Sequence, residues 1–182
     1  MVLPAWNAAH TLGAALQSLL DQQPSPLAPV PDFEIVVVDD GSSDETRNIL
    51  EHWGSAHLLG NRLRPLYLPH GGIVTALNAG LTAARGTLVA RMDADDTAHP
   101  HGIASQTAHL YDKEHIDLSA TCVAFGGDRE LAHGFAHFVD WQNSLLSHEQ
   151  ISRARFRDTP VCHPSVMFRR HCVEKWGAYR DG

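Results

Sequence analysis

Cysteine is scarce and unpaired in this chain: Cys122, Cys162 and Cys172 are odd in number and form no CxxC motif. That pattern speaks against a disulfide framework or a zinc site and suits reduced thiols in a cytosolic setting. Positive charge is also short, with 14 basic residues against 21 acidic ones and a net charge of −7. A general nucleic-acid binder needs a basic face for the phosphate backbone, so that class is excluded. No apolar run approaches the roughly 20 residues of a membrane-spanning helix, and no basic segment leads into an apolar one as in a signal peptide. No GxGxxG follows an expected strand, which disfavours a dinucleotide-dependent dehydrogenase. Internal repeats and low-complexity segments are missing as well.

What remains is a globular composition. The 182 residues, 43% of them hydrophobic, suffice for one domain with a substantial core and not for two full ones. The 13 histidines are unusual, and they are read as scattered surface residues without paired metal-binding spacing. Both ends read as cut: the chain opens inside a strand at Val2-Leu3-Pro4 and closes at Arg180-Asp181-Gly182 with no finishing element. A fragment of a longer protein is therefore expected.

Apolar periodicity orders the chain. Met1 to Leu3 reads as a strand stopped by Pro4, and Leu12, Leu16, Leu19 and Leu20 mark a helix near residues 10–22. A proline-rich loop follows at 24–31. Phe33 to Val38 has the continuous apolar character of a strand buried on both faces. Asp39-Asp40-Gly41 ends it, and Ser42-x-x-Glu45 is a capping-box pattern opening a helix through Trp53. Leu63 to Leu68 is a weaker strand, placed at an edge by Pro65. A helix from Ile73 to Arg85 should be capped by Gly86, and Thr87 to Met92 is the next strand. Beyond Pro100 come a helix carrying Ile103, Thr107, Leu110 and Tyr111 and a strand over Ile116 to Phe125. Residues 128–160 read as irregular apart from a short helix at 149–156, before a strand at 165–168 and a helix at 172–176. The alternation predicts an α/β fold, a doubly wound and mostly parallel sheet flanked by helices.

In such a sheet ligands gather at the carboxyl ends of the strands, and four polar features fall there. The densest is Arg91-Met92-Asp93-Ala94-Asp95-Asp96, which puts 3 carboxylates within 4 residues directly behind Leu88-Val89-Ala90. Uncompensated, that charge is costly, whereas a helix cap needs a single carboxylate. Asp93 and Asp95 offer hard oxygen ligands to Mg²⁺ or Mn²⁺. Pro4-Ala5-Trp6-Asn7 supplies an aromatic face for a base, Asp40 an acceptor for a base N–H or a ribose hydroxyl, and Gly71-Gly72 a close backbone approach at a helix N-terminus. Together they read as a nucleotide-diphosphate pocket. The plainer alternatives are packing for Trp6, turn roles for Asp40 and Gly71-Gly72, and a helix cap for Asp96.

These residues resemble the family 2 glycosyltransferases of the GT-A fold. The matching pieces are Val2 to Asn7, Ile35 to Asp44, Gly72 to Gly80, Ala84-Arg85-Gly86 and Ala90 to Asp96, with His163 to Arg170 as an acceptor-side block. The resemblance implies a single GT-A (Rossmann-like) domain, residues 1–97 forming its nucleotide-sugar half and 98–182 the start of its acceptor half. It implies a nucleotide-sugar donor, usually a UDP-sugar, a divalent cation (Mn²⁺ or Mg²⁺), and transfer with inversion to an acceptor hydroxyl on a glycan, a lipid-linked or another molecule. Carried over by position, Pro4 and Trp6 line the base pocket, Ala5 and Asn7 belong to the nucleotide-sugar site beside them, and Asp40 bonds the uracil. Gly72, Asp93 and Ala94 also lie along the donor, and Asp95 ligates the metal with Asp93 in support. The expected location is cytoplasmic or peripheral at the inner membrane face. The family's general base belongs to an acidic block expected beyond Gly182; Asp158 and Asp181 are the carboxylates at hand, and His163 is an acceptor contact or a structural histidine. The alternative reading is a non-catalytic nucleotide-sugar-binding module.

Overall fold

The computed structural model describes residues 1–55 and 58–180. Strands β1 (Val2–Ala5), β2 (Ile35–Asp40) and β3 (Leu63–Leu68) pair in parallel in the order β1-β2-β3. Strands β4 (Leu88–Ala90), β5 (Leu118–Ala120) and β6 (Val166–Arg169) form a second sheet in the order β4-β6-β5, in which β6 runs antiparallel to both neighbours. The two sheets meet at a parallel bridge between Val2 and Arg91. There Met92 N–H donates to Val2 O at 3.2 Å, while Arg91 N–H extends the β4–β6 pairing by donating to Val166 O at 3.0 Å.

The sequence of β2 explains its place. Ile35 and Val37 pack into one apolar cluster with Leu12, Leu16, Leu19 of α1 (Leu12–Leu20), Leu50 of α2 (Thr46–Trp53) and Ile103, Leu110 of α4 (Gly102–Asp112). Val36 and Val38 face the other side, against Ala76 of α3 (Ile73–Ala83). A strand covered on both faces has no polar alternation to keep, hence the uninterrupted apolar run. On α3, Gly80 allows a close approach: a Cβ there would stand 2.4 Å from Val2 Cγ1.

Several local expectations are corrected. β2 begins at Ile35 and continues through Asp39 and Asp40 instead of stopping before them. The Ser42/Glu45 capping box does not form: Ser42 Oγ accepts from Asn7 N–H at 2.9 Å, and Asp44 Oδ1 takes the Thr46 N–H at 3.0 Å. A capping box does form at Ser147 and Gln150, where it opens α6 (His148–Ala154). α3 ends at an extended Ala84, so Gly86 is no helix cap. β5 keeps only Leu118–Ala120 of the expected strand over 116–125. The stretch read as irregular contains α5 (His133–Asn143), whose buried residues Ala136, Val139 and Gln142 follow the spacing of three that marks a helix. His133 and His137 are also paired after all, four apart on α5 with Nε2 atoms 2.9 Å apart. The last element is α7 (His171–Trp176). Among the described residues, no helix is long and apolar enough to cross a membrane.

Candidate functional site

The parallel strands deliver their carboxyl ends to one cleft of about 590 Å³. Its walls include Pro4, Ala5, Trp6 and Asn7 after β1, Asp40 at the end of β2, His70 and Gly72 after β3, and Asp93, Ala94 and Asp95 after β4. Every residue expected to touch the donor or the metal therefore lines the same cavity.

Trp6 is 55% exposed, which rules out a core role for it. Its ring stacks on His70 with centroids 4.6 Å apart and planes 23° from parallel. Asn7 adopts φ 49°, a conformation in which asparagine is enriched. Its Oδ1 accepts from Ser43 N–H at 2.9 Å, so this side chain ties the β1 loop to the β2 loop.

Asp40 is only 3% exposed. Its two carboxylate oxygens accept the N–H groups of Gly71 and Gly72 at 2.8 and 2.9 Å, and His70 Nδ1 stands 2.9 Å from Oδ2. It is thus more than a turn residue, because it fixes the glycine loop that leads into α3. Oδ2 thus faces both Gly72 N–H and His70 Nδ1, while Oδ1, with Gly71 N–H alone, keeps a second lone pair for another donor. Gly41, at φ +71°, lets the loops close: a Cβ there would sit 2.6 Å from His70 N. Gly72 begins α3 at φ 85°, so the first turn of that helix faces the cleft.

The acidic loop is built on a buried cation. Arg91 is 5% exposed, and its Nη2 pairs with Asp93 Oδ1 at 2.7 Å. Among the described residues, its Nε and Nη1 make no hydrogen bond. One ligand oxygen from each of Asp93, Asp95 and Asp96 lies within 4.8 Å of the others. Burial pushes the Asp93 carboxyl up; Arg91 opposes that and Asp95 adds to it, and the net direction is upward. Burial and the charges of Asp93 and Asp95 push Asp96 up as well. Carboxyls raised by crowding favour a divalent cation over open water, and three hard oxygens suit Mg²⁺ or Mn²⁺. The capping alternative for Asp96 does not hold: α4 starts at Gly102, and its Ile103 N–H is taken by Gln22 Oε1 at 3.2 Å.

On the side of β6, His163 stands edge-on to Tyr179 at 6.0 Å, its pKa lowered by burial and by the Arg91 charge. Asn78 of α3 holds the Tyr179 backbone from both sides, donating to its O at 3.0 Å and accepting from its N–H at 2.9 Å. Asp158 is exposed, does not line the cleft and accepts from its neighbour Thr159 N–H. Asp181 lies outside the described residues. Two participants went unassigned in the sequence. His70 could have been found from its position, directly after β3 and before the glycine pair. The pairing of Arg91 with Asp93 had no signal beyond their separation by two residues.

Residues 1–177 match the family model of Glycosyl transferase family 2, and the chain belongs to that family. An uncharacterised glycosyltransferase of Nostoc sp. is 36% identical over 199 residues, which covers 100% of this chain and 56% of that protein. S. aureus TarS 1-349 in complex with UDP-GlcNAc matches with a TM-score of 0.69 at 21% identity, covering 98% of this chain and 47% of that one. Mannosyltransferase PcManGT from Pyrobaculum calidifontis, in complex with GDP-Man and Mn2+, matches at 0.67 and 21% identity, covering 98% and 46%. The fold is GT-A, and the chain spans about half the length of these three relatives.

Proposed function

We propose that the chain carries the donor-binding part of a metal-assisted, inverting glycosyltransferase that uses a nucleotide-sugar, with UDP as the favoured nucleotide. The observation that carries this reading is the single cleft shared by Trp6, Asp40, Gly72 and the Asp93–Asp95 loop. Trp6 and His70 offer a stacked aromatic face to a base. Asp40 accepts from a base N–H with the remaining lone pair of Oδ1 while holding the Gly71-Gly72 backbone in place. The N-terminus of α3 faces the negative diphosphate. Asp95 and Asp93 would hold the cation, which when bound neutralises charge on the leaving diphosphate. Residues 1–97 act as the nucleotide-sugar half and 98–182 as the start of the acceptor half, which would receive a glycan, lipid-linked or other hydroxyl compound.

Inversion requires a carboxylate on the far side of the sugar to take the acceptor proton. The carboxylates lining the cleft are Asp40, Asp93 and Asp95, and each already has another task. The base is therefore assigned to a residue outside those described, and Asp158 is not that base.

Calorimetry with UDP, with and without Mn²⁺, tests the reading. Wild type should bind more tightly with Mn²⁺, and Asp95→Ala should abolish that increment while keeping the metal-independent part. A metal increment that survives Asp95→Ala sinks the metal assignment. Asp40→Ala should weaken UDP by about 1–3 kcal/mol, and no loss there would reduce Asp40 to a loop anchor.

A further inference from the structure

A second set of metal-type donors lies at the opposite end of the sheet from the cleft. Asp117, His171 and Cys172 each present one ligand atom, all within 4.8 Å of one another. The fold brings them together across 54 positions of sequence: β5 runs beside β6, and Arg169 N–H donates to Asp117 O at 3.0 Å just before α7 begins. His171 Nε2 already stands 3.2 Å from Asp117 Oδ1. The Cys172 thiol is turned toward the same residue, with Sγ 3.9 Å from Asp117 O. In a tetrahedral zinc site, bond lengths of about 2.3 Å to sulfur and 2.0 Å to nitrogen put neighbouring donors about 3.5 Å apart. The His–Asp pair is at that spacing, and small side-chain rotations bring in the sulfur. The Lys175 ammonium lies over the Trp176 ring at 4.6 Å, and its charge, like that of Arg169, acts on the Cys172 thiol in favour of the thiolate. The mixture of thiolate, imidazole and carboxylate selects a borderline-soft divalent ion, in contrast to the all-oxygen set at Asp93–Asp96.

We propose that Asp117, His171 and Cys172 form a zinc-class metal site with one open position, which staples the entry of β5 to α7 independently of donor binding. Binding releases the thiol proton of Cys172 and makes no other covalent change. A cysteine-poor sequence without CxxC gives no hint of it, because one ligand, Asp117, lies far off in sequence, just before β5.

Cobalt titration of the purified chain is the test. A thiolate-to-cobalt charge-transfer band should saturate at one equivalent and be displaced by zinc. Cys172→Ser, a near-isosteric change at a half-exposed position, should remove the band. Asp117→Asn and His171→Ala should weaken cobalt binding at least about tenfold, the least that loss of even an outer partner of a metal site costs. Zinc should raise the thermal midpoint of wild type and not of Cys172→Ser. The band should persist in Asp95→Ala, which separates this site from the oxygen cluster. Absence of the band, its survival in Cys172→Ser, its loss in Asp95→Ala, or a midpoint unmoved by zinc overturns the proposal.

Discussion

Arg91 gives the neighbouring aspartates different tasks. Its guanidinium is buried beneath the acidic loop, and Asp93 is its ion-pair partner. Removing one side of a buried pair leaves a desolvated charge, at a cost of about 3 kcal/mol. Asp93→Ala should therefore lower stability by up to about that amount as well as weaken donor binding. Exposed Asp95 has no such partner among the described residues, so Asp95→Ala should leave the denaturation midpoint close to wild type. Chemical denaturation of the two variants side by side checks this, and equal losses would remove the distinction. At this scale the sequence was informative where chemistry is concentrated: Trp6, Asp40, Asp93 and Asp95 all reach the cleft. It was silent where a residue acts through a partner, as with Asn7 on Ser43, because such contacts depend on how two loops meet.

Among the elements, α3 binds the two faces of the problem together. It covers β2 through Ala76, carries Gly72 at the cleft, and holds the Tyr179 segment through Asn78. Its position is set by Gly80, where a Cβ would meet Val2 Cγ1 at 2.4 Å and Val38 Cγ2 at 3.2 Å. Gly80→Ala gains about 1 kcal/mol of helix propensity, yet it overpacks a filled layer. The net loss should be about 1–2 kcal/mol by denaturant unfolding, with a weaker UDP affinity as α3 is pushed outward. A stabilised variant would mean that Val2 can yield. Long periodic helices such as α1 and α3, and the all-buried β2, were legible because burial on defined faces leaves a pattern. α5 was missed because aromatic and histidine residues on its exposed side blur that pattern, Phe135 being 59% exposed. The Ser42-x-x-Glu45 motif misled because Ser42 and Asp44 serve the β1 loop instead.

For the molecule as a whole, the acidic loop links pH to stability and, in its proposed role, to metal. Asp93 and Asp96 carboxyls are pushed up chiefly by burial, so their charged forms are disfavoured in the folded protein. Such groups destabilise the fold above their folded pKa, and that penalty is relieved as pH falls through it. A bound divalent cation relieves the same penalty at neutral pH. The rise in melting temperature caused by Mn²⁺ should therefore be largest near about pH 7 and shrink toward about pH 5, as protons displace the metal. The metal-induced difference is the proper readout, because Asp44 is pulled down by its Thr46 hydroxyl partner and contributes in the opposite direction. A difference constant with pH would argue against carboxylate ligation. The fold class was legible from the alternation of elements, whereas the reversal of β6 was not, since strand direction depends on which neighbour a strand finds.

The seam between the two sheets has one more consequence. Among the described residues its strand contact is a main-chain matter, with Met92 N–H donating to Val2 O beside the Val2–Arg91 bridge. Hydrogen bonds of this kind do not read side chains. Side chains add a sequence requirement at the joint: Val2 clusters with Val89, Val166 and Phe168, and Leu3 and Ala5 cluster with Ala90, Met92 and Met167. The hydrogen-bonded part of the joint therefore tolerates side-chain change, whereas β4, which delivers Asp95 from the second sheet, is held against β1 by that packing.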